Sequence, residues 1–163
     1  MSKVQNVFLI GAKSLGAYGG YETFVYKLTE YHQNNPNIKY HVACKANGDG
    51  CMDETKLDNV KRVSDSEFEF HNARCFKIHI PQIGPAQAIY YDVAALRECC
   101  KYIKKNNIEN PIVYIMACRI GPFAKHFYKE IHRLGGKVYL NPDGHEWMRA
   151  KWSKPIRKYW KIS

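Results

Sequence analysis

The stretch whose reading decides the fold is Gly11-Ala12-Lys13-Ser14-Leu15-Gly16-Ala17-Tyr18-Gly19-Gly20-Tyr21-Glu22. Before it, Val4 and residues 7–10 form an apolar run that reads as a buried strand. After it, Tyr21, Phe24, Val25, Leu28 and Tyr31 recur as one helical stripe. Strand, glycine loop and helix together make an anion site in α/β proteins. Glycine lets the backbone approach a ligand, and the free N–H groups of a helix start point at negative charge. The spacing excludes two versions of such a loop. Gly11 is followed next by Gly16, so there is no GxGxxG fingerprint, and Ala17-Tyr18 stand where a P-loop needs lysine and Ser or Thr. What remains closes on Gly-Gly-x-Glu at a helix start. A tight strand-to-helix turn accounts for these glycines as well as a ligand does.

The rest of the chain alternates in the same way. Residues 38–46 and 75–80 read as strands, with a short alternating run at 68–71. Residues 52–65 are polar and weakly patterned, and are expected on the surface. A long helix follows Pro81, Gly84 and Pro85, with Ala86, Ile89, Tyr90, Val93, Ala94, Arg97, Cys100 and Ile103 as its stripe. Residues 112–117 are continuously apolar, as in parallel strands covered on both faces. A third helix carries Phe123, Phe127, Ile131 and Leu134 inward, and residues 137–141 are the last strand. The fold expected is α/β, a Rossmann-like parallel sheet with helices on both faces. In such sheets ligands bind beyond the carboxyl ends of the strands, at the switch point. The loops 11–20, 118–122 and 142–147 fall at that edge and hold most of the residues with chemistry.

With 163 residues, 45% hydrophobic and 25% charged, the chain has the composition of one globular domain. No apolar run is long enough to span a bilayer and no secretory signal opens the sequence, so a cytosolic location is expected. Six cysteines without CxxC or zinc-like spacing read as reduced packing thiols, and the scattered histidines lack metal spacing. The net charge of +10 calls for an anionic partner: nucleic acid, a phosphorylated small molecule or an anionic membrane.

Asp143, His145 and Glu146 are the densest acid/base group, on a loop directly after a strand. A carboxylate there can accept a proton from a substrate hydroxyl or fix sugar hydroxyls. Turn chemistry and a helix first turn explain the same residues locally. Arg119, after a buried strand, suits phosphate or carboxylate, or a pair with an acid such as Asp143. Glu22 is a helix-start charge or a ligand contact. Residues 148–161 are basic and aromatic together, including Lys151, Trp152, Arg157, Lys158 and Trp160, with Trp152, Ile156, Tyr159 and Trp160 at helical spacing. Such a face can lie on an anionic membrane, bind single-stranded nucleic acid, or pack on another domain. No recognised RNA or DNA motif is present.

Two segments carry a family resemblance. Gly-Gly-Tyr-Glu-Thr-Phe-Val at 19–25, and Asn-Pro-Asp-Gly-His-Glu-Trp-Met-Arg-Ala-Lys-Trp at 141–152, resemble the two signatures of the rhamnosyltransferase-type N-terminal domains of retaining, family 4-like glycosyltransferases. The loop at 11–17 departs from the arginine and proline usual there. The resemblance implies the N-terminal, acceptor-side half of a metal-independent GT-B enzyme, with a Rossmann-like domain over 1–147 and a connecting helix over 148–163. It implies a nucleotide-sugar donor such as dTDP-rhamnose, no cofactor, and a lipid-linked glycan acceptor in surface or capsular polysaccharide synthesis. Asp143 would be catalytic or orient the acceptor. Gly16, Gly19 and Gly20 would approach the donor diphosphate, and Tyr18, Glu22, Arg119, His145 and Glu146 would contact acceptor or sugar. The chain is then expected to be a fragment, a truncated product or one member of a split pair, peripheral at the inner membrane face and inactive without a donor domain. A non-catalytic membrane-surface or partner-binding domain is the alternative, and no nucleic-acid partner is expected.

Overall fold

The computed structural model describes residues 4–16, 19–142, 153–155, 157 and 158. The described strands are β1 (Gln5–Ile10), β2 (Ile38–Lys45), β3 (Lys61–Arg62), β4 (Glu67–Phe70), β5 (Ala73–Ile78), β6 (Ile112–Ile115) and β7 (Lys137–Leu140). The main helices are α1 (Gly20–His32), α2 (Gln87–Lys105) and α3 (Ala124–Arg133). Seven strands form one sheet in the order β3-β4-β5-β2-β1-β6-β7. The five from β5 to β7 are parallel, whereas β4 and β3 extend the β5 edge antiparallel. The parallel Rossmann-like sheet is therefore present, widened by a hairpin that the sequence pattern shows only in part.

Strand order fixes where a ligand crevice can form. From β1 the chain builds outward through β2 to β5, then crosses to β6 and β7 on the other side. The switch point is thus between β1 and β6, which pair from Val7↔Ile112 to Ile10↔Ile115. Alternation along β1 splits the core in two. Phe8 and Ile10 pack under α2 and α3 with Leu96, Ile103, Phe127 and Ile131. Leu9 packs on the opposite face with Val25 of α1 and with Val42, Cys44, Phe68 and Cys75.

Several expected faces shift. In α1, Val25 and Thr29 are buried, while Phe24 turns toward the sheet edge and Tyr31 is 84% exposed. In α2, the buried set is Tyr91, Asp92, Val93, Ala95, Leu96, Cys99, Cys100 and Ile103, so Tyr90 and Arg97 face outward. That helix packs on the sheet and also against α3 beside it, and the wider burial overrides a single stripe. Phe123 likewise lies in the single turn before α3 and is exposed. Strand β6 alternates between half-buried and buried rather than being covered on both faces. Within the segment read as surface, Met52 is buried and β3 joins the sheet. All six cysteines are free thiols, four of them buried. Among the described residues no helix is long and apolar enough to cross a membrane.

Leu96 is fully buried at the centre of the α2–sheet core. Leu96→Ala is expected to cost about 2–5 kcal/mol. Urea unfolding would show this as a lower midpoint at unchanged slope.

Candidate functional site

The glycine loop leaves β1 at Gly11 and is tied down by side chains from three directions. Arg119 Nη2 donates to the Gly11 carbonyl at 2.7 Å, and Tyr91 Oη donates to the Ala12 carbonyl at 2.5 Å. The Lys45 amide at the end of β2 donates to the Lys13 carbonyl at 2.7 Å. The Lys13 amide in turn donates to Glu22 Oε1 at 2.9 Å, and the Leu15 amide to Met52 Sδ at 3.4 Å. Gly11 has φ 121°, and a Cβ there would sit 3.3 Å from Met116 Cβ in the loop after β6. Loop and sheet edge are therefore packed together without room for a side chain.

At the start of α1, Glu22 acts within the protein. Its carboxylate closes the loop through Lys13, and a Cβ on Gly19 would lie 2.1 Å from its Oε2. Gly19 thus makes room for the carboxylate. Gly20 differs, because a Cβ there would meet nothing within 4 Å. It opens onto a crevice of about 410 Å³ lined by Gly20, Tyr21, Phe24, Tyr114, Met116 and Asn141. Phe24 and Tyr114 meet edge to face across it, with ring centroids 6.4 Å apart. The α1 N-cap is Gly19, which has no side chain to cap the helix. The crevice therefore combines aromatic walls, the Asn141 amide and the positive end of a helix dipole. It lies between the start of α1 and the carboxyl ends of β6 and β7, beside the β1–β6 switch point.

Arg119 is held by Asp92, through Nε at 2.7 Å and Nη2 at 3.3 Å. The acid is fully buried and belongs to α2, while Asp143, the other acid the sequence suggests for Arg119, lies outside the described residues. Burial pushes the Asp92 carboxyl pKa up against the pull of Arg119. For Arg119, burial works against the charge and Asp92 more than offsets it, so its pKa is raised. On the next strand, burial lowers the Lys45 pKa, with Lys13 adding to the effect and Asp49 opposing it. Lys13 Nζ lies 3.1 Å from Asp49 Oδ2, and Lys45 Nζ donates to the Asp49 carbonyl at 2.7 Å. Three cations therefore stand at the carboxyl ends of β1, β2 and β6, each engaged by the protein. They support positive potential around the loop more than direct grip on a ligand.

Of the residues singled out in the sequence, the structure brings Gly11, Gly16, Gly19, Gly20, Glu22 and Arg119 together at one sheet edge. Gly16 packs on Leu57 and Tyr26, behind the loop rather than in the crevice. Tyr18, Asp143, His145, Glu146, Lys151, Trp152 and Trp160 lie outside the described residues. Arg157 and Lys158 are helical, half-buried and exposed respectively. Sequence reasoning missed Tyr91, Asp92, Tyr114 and Met52. Asp92 had one usable signal, an acid among apolar neighbours in a long helix, which calls for a buried cation. Among the described residues no three His, Cys, Asp or Glu side chains group as metal ligands would.

The chain belongs to DUF1972, a domain of unknown function. The family match covers residues 4–163, including both segments that carry the resemblance. The family is an N-terminal domain of glycosyltransferase-associated proteins. No curated protein matches the chain.

Removing Asp92 takes the carboxylate away from the largely buried Arg119 guanidinium. Asp92→Ala is expected to lose about 3–5 kcal/mol, and Asp92→Asn, which keeps an acceptor, less. The raised pKa means the folded chain binds this proton more tightly than the unfolded one. The stabilisation from this group is full below the unfolded pKa and is lost as pH rises through the folded value. Thermal unfolding of wild type and both variants across pH 3–8 checks the order and the sign.

Proposed function

We propose that this domain is the acceptor-side half of a retaining GT-B glycosyltransferase, acting on a nucleotide-sugar such as dTDP-rhamnose and a lipid-linked glycan. The observation that carries the reading is the crevice beside the switch point. Gly20, Tyr21 and Phe24 from the first resemblance segment line it together with Asn141, which opens the second. Residues far apart in sequence, singled out for one resemblance, share a cavity of ligand size.

In this reading Tyr21, Phe24 and Tyr114 take the apolar face of an acceptor sugar, and Asn141 fixes a hydroxyl. The N–H groups at the start of α1 face the donor diphosphate, whose other contacts come from a second Rossmann domain. Asp143, two residues beyond Asn141, is assigned the acceptor hydroxyl. Gly16 and Glu22 shape the loop. Arg119 serves through the loop as well, since its guanidinium is committed to Asp92 and Gly11.

Supplying a donor domain, dTDP-rhamnose and a lipid-diphosphate acceptor is expected to give rhamnosyl transfer. Asp143→Ala should lower the rate by about 100-fold or more, the scale of a positioned acid or base. Failure of transfer with folded partners contradicts the reading, and turnover by this chain alone contradicts its half-enzyme part.

One further observation favours membrane attachment, whether or not the domain is catalytic. Arg97, Lys101, Lys104 and Lys105 of α2 and Lys125, Lys129 and Arg133 of α3 are exposed on helices that share one face of the sheet. Anionic phosphatidylglycerol vesicles are expected to sediment the protein and zwitterionic vesicles to leave it in solution, with salt weakening the binding. Equal binding to both vesicles, or to neither, contradicts this.

A further inference from the structure

A second groove, of about 440 Å³, lies behind the glycine loop, between α1, the segment before β3 and the β4–β5 turn. Gly16 packs on Tyr26 and Leu57, which line this groove, while Gly20 and Tyr21 line the crevice already described. One loop therefore touches both cavities. The aromatic wall is built from Tyr26, Phe70 and His71. The His71 ring lies 3.7 Å from Phe70 and 5.1 Å from Tyr26, with Nδ1 held 3.3 Å from Thr29 Oγ1. The rim carries the planar amides of Gln33, Asn59 and Asn72, with Asp58 and Lys56 beside them.

The backbone shows what these side chains are for. Among the described residues five non-glycine positions have positive φ, and three border this groove: Asn59 (59°), His71 (49°) and Asn72 (57°). His71 and Asn72 are the two loop residues of the β4–β5 hairpin, where Asn-Gly is the usual choice. Glycine would serve at these positions with less strain. Asparagine and histidine bring planar hydrogen-bonding groups to the groove instead.

Charge narrows the ligand. Lys56 and Asp58 balance, and Lys56 also pairs with Asp53 at 3.5 Å. Burial holds His71 below the usual imidazole pKa, opposed by Glu30 and helped by Lys27, which favours its uncharged form. In a chain of net charge +10 this groove is no phosphate trap. Aromatic rings for the C–H face of a pyranose, with amides and a carboxylate for adjacent hydroxyls, suit uncharged sugar. The volume is within the range of small-ligand sites, about 300–1,000 Å³.

We propose that this groove binds uncharged pyranose units of a glycan, at a site separate from the switch-point crevice. The kind of glycan rests on the glycosyltransferase reading, but the binding does not, since it needs neither donor nor second domain. The test uses amide NMR of the full chain titrated with neutral trisaccharides containing rhamnose, glucose or galactose, up to about 20 mM. Shifts are expected at Gln33, Asn59, His71 and Asn72. Asn59→Gly and Asn72→Gly should weaken binding about fivefold to tenfold, the loss of one hydrogen bond each, at equal or higher Tm. Shifts confined to Gly20, Tyr21 and Tyr114, absence of shifts with every sugar, or glycine variants that bind as wild type would overturn the groove proposal. None of these results bears on transfer by the crevice, and failure of transfer does not bear on the groove.

Discussion

The structure depends on an ion pair beneath the loop that forms its candidate site, the acid fully buried and the arginine half-buried. Arg119 comes from the segment after β6, Asp92 from α2, and the Gly11 carbonyl from the end of β1. Burying either charge alone would cost several kcal/mol, so pairing and the extra hydrogen bond to Gly11 are what make the arrangement tolerable. In return, three elements that meet at the switch point are fixed relative to one another. The carbonyl at the strand exit, which would otherwise be buried without a donor, is satisfied.

From that anchor the rest of the loop follows stepwise. Tyr91, one residue before Asp92, reaches Ala12, and the end of β2 reaches Lys13. Glu22 returns from the helix to the Lys13 amide, and Met52 covers the Leu15 amide. The loop is thereby shaped before any ligand arrives. A site formed this way loses less conformational freedom on binding than a loop that must order itself. Among the described residues its ligand side is the α1 N-terminus and the aromatic crevice.

Much of this was legible in the sequence, and the parts that were not have physical reasons. The glycine cluster between an apolar strand and a helical pattern located β1, the loop, α1 and the edge where the site forms. The alternation of later segments gave the α/β sheet. Period alone does not orient α2, because that helix is buried over a face wider than one stripe, and Tyr91 and Asp92 lie off the periodic set yet are buried. Glu22 illustrates the other limit. Its position at a helix start fits a dipole, a ligand or a loop clamp equally, and only the distance to the Lys13 amide decides among them. Met52 was hidden because a single apolar residue in a polar segment carries no periodicity. The hairpin strands β3 and β4 are short, and their pairing depends on tertiary contact.

Residue-resolved amide hydrogen exchange of the full chain tests the pre-shaped loop most directly. A loop anchored by Arg119, Tyr91, Glu22 and Met52 predicts that the Lys13 and Leu15 amides exchange nearly as slowly as those of β1. The Gly20 amide, in the first turn of α1 where no intrahelical acceptor is available, should exchange much faster. Lys13 and Leu15 amides that exchange as fast as those at Gly20 would contradict it, because the bonds that shape the site would then not be holding in solution.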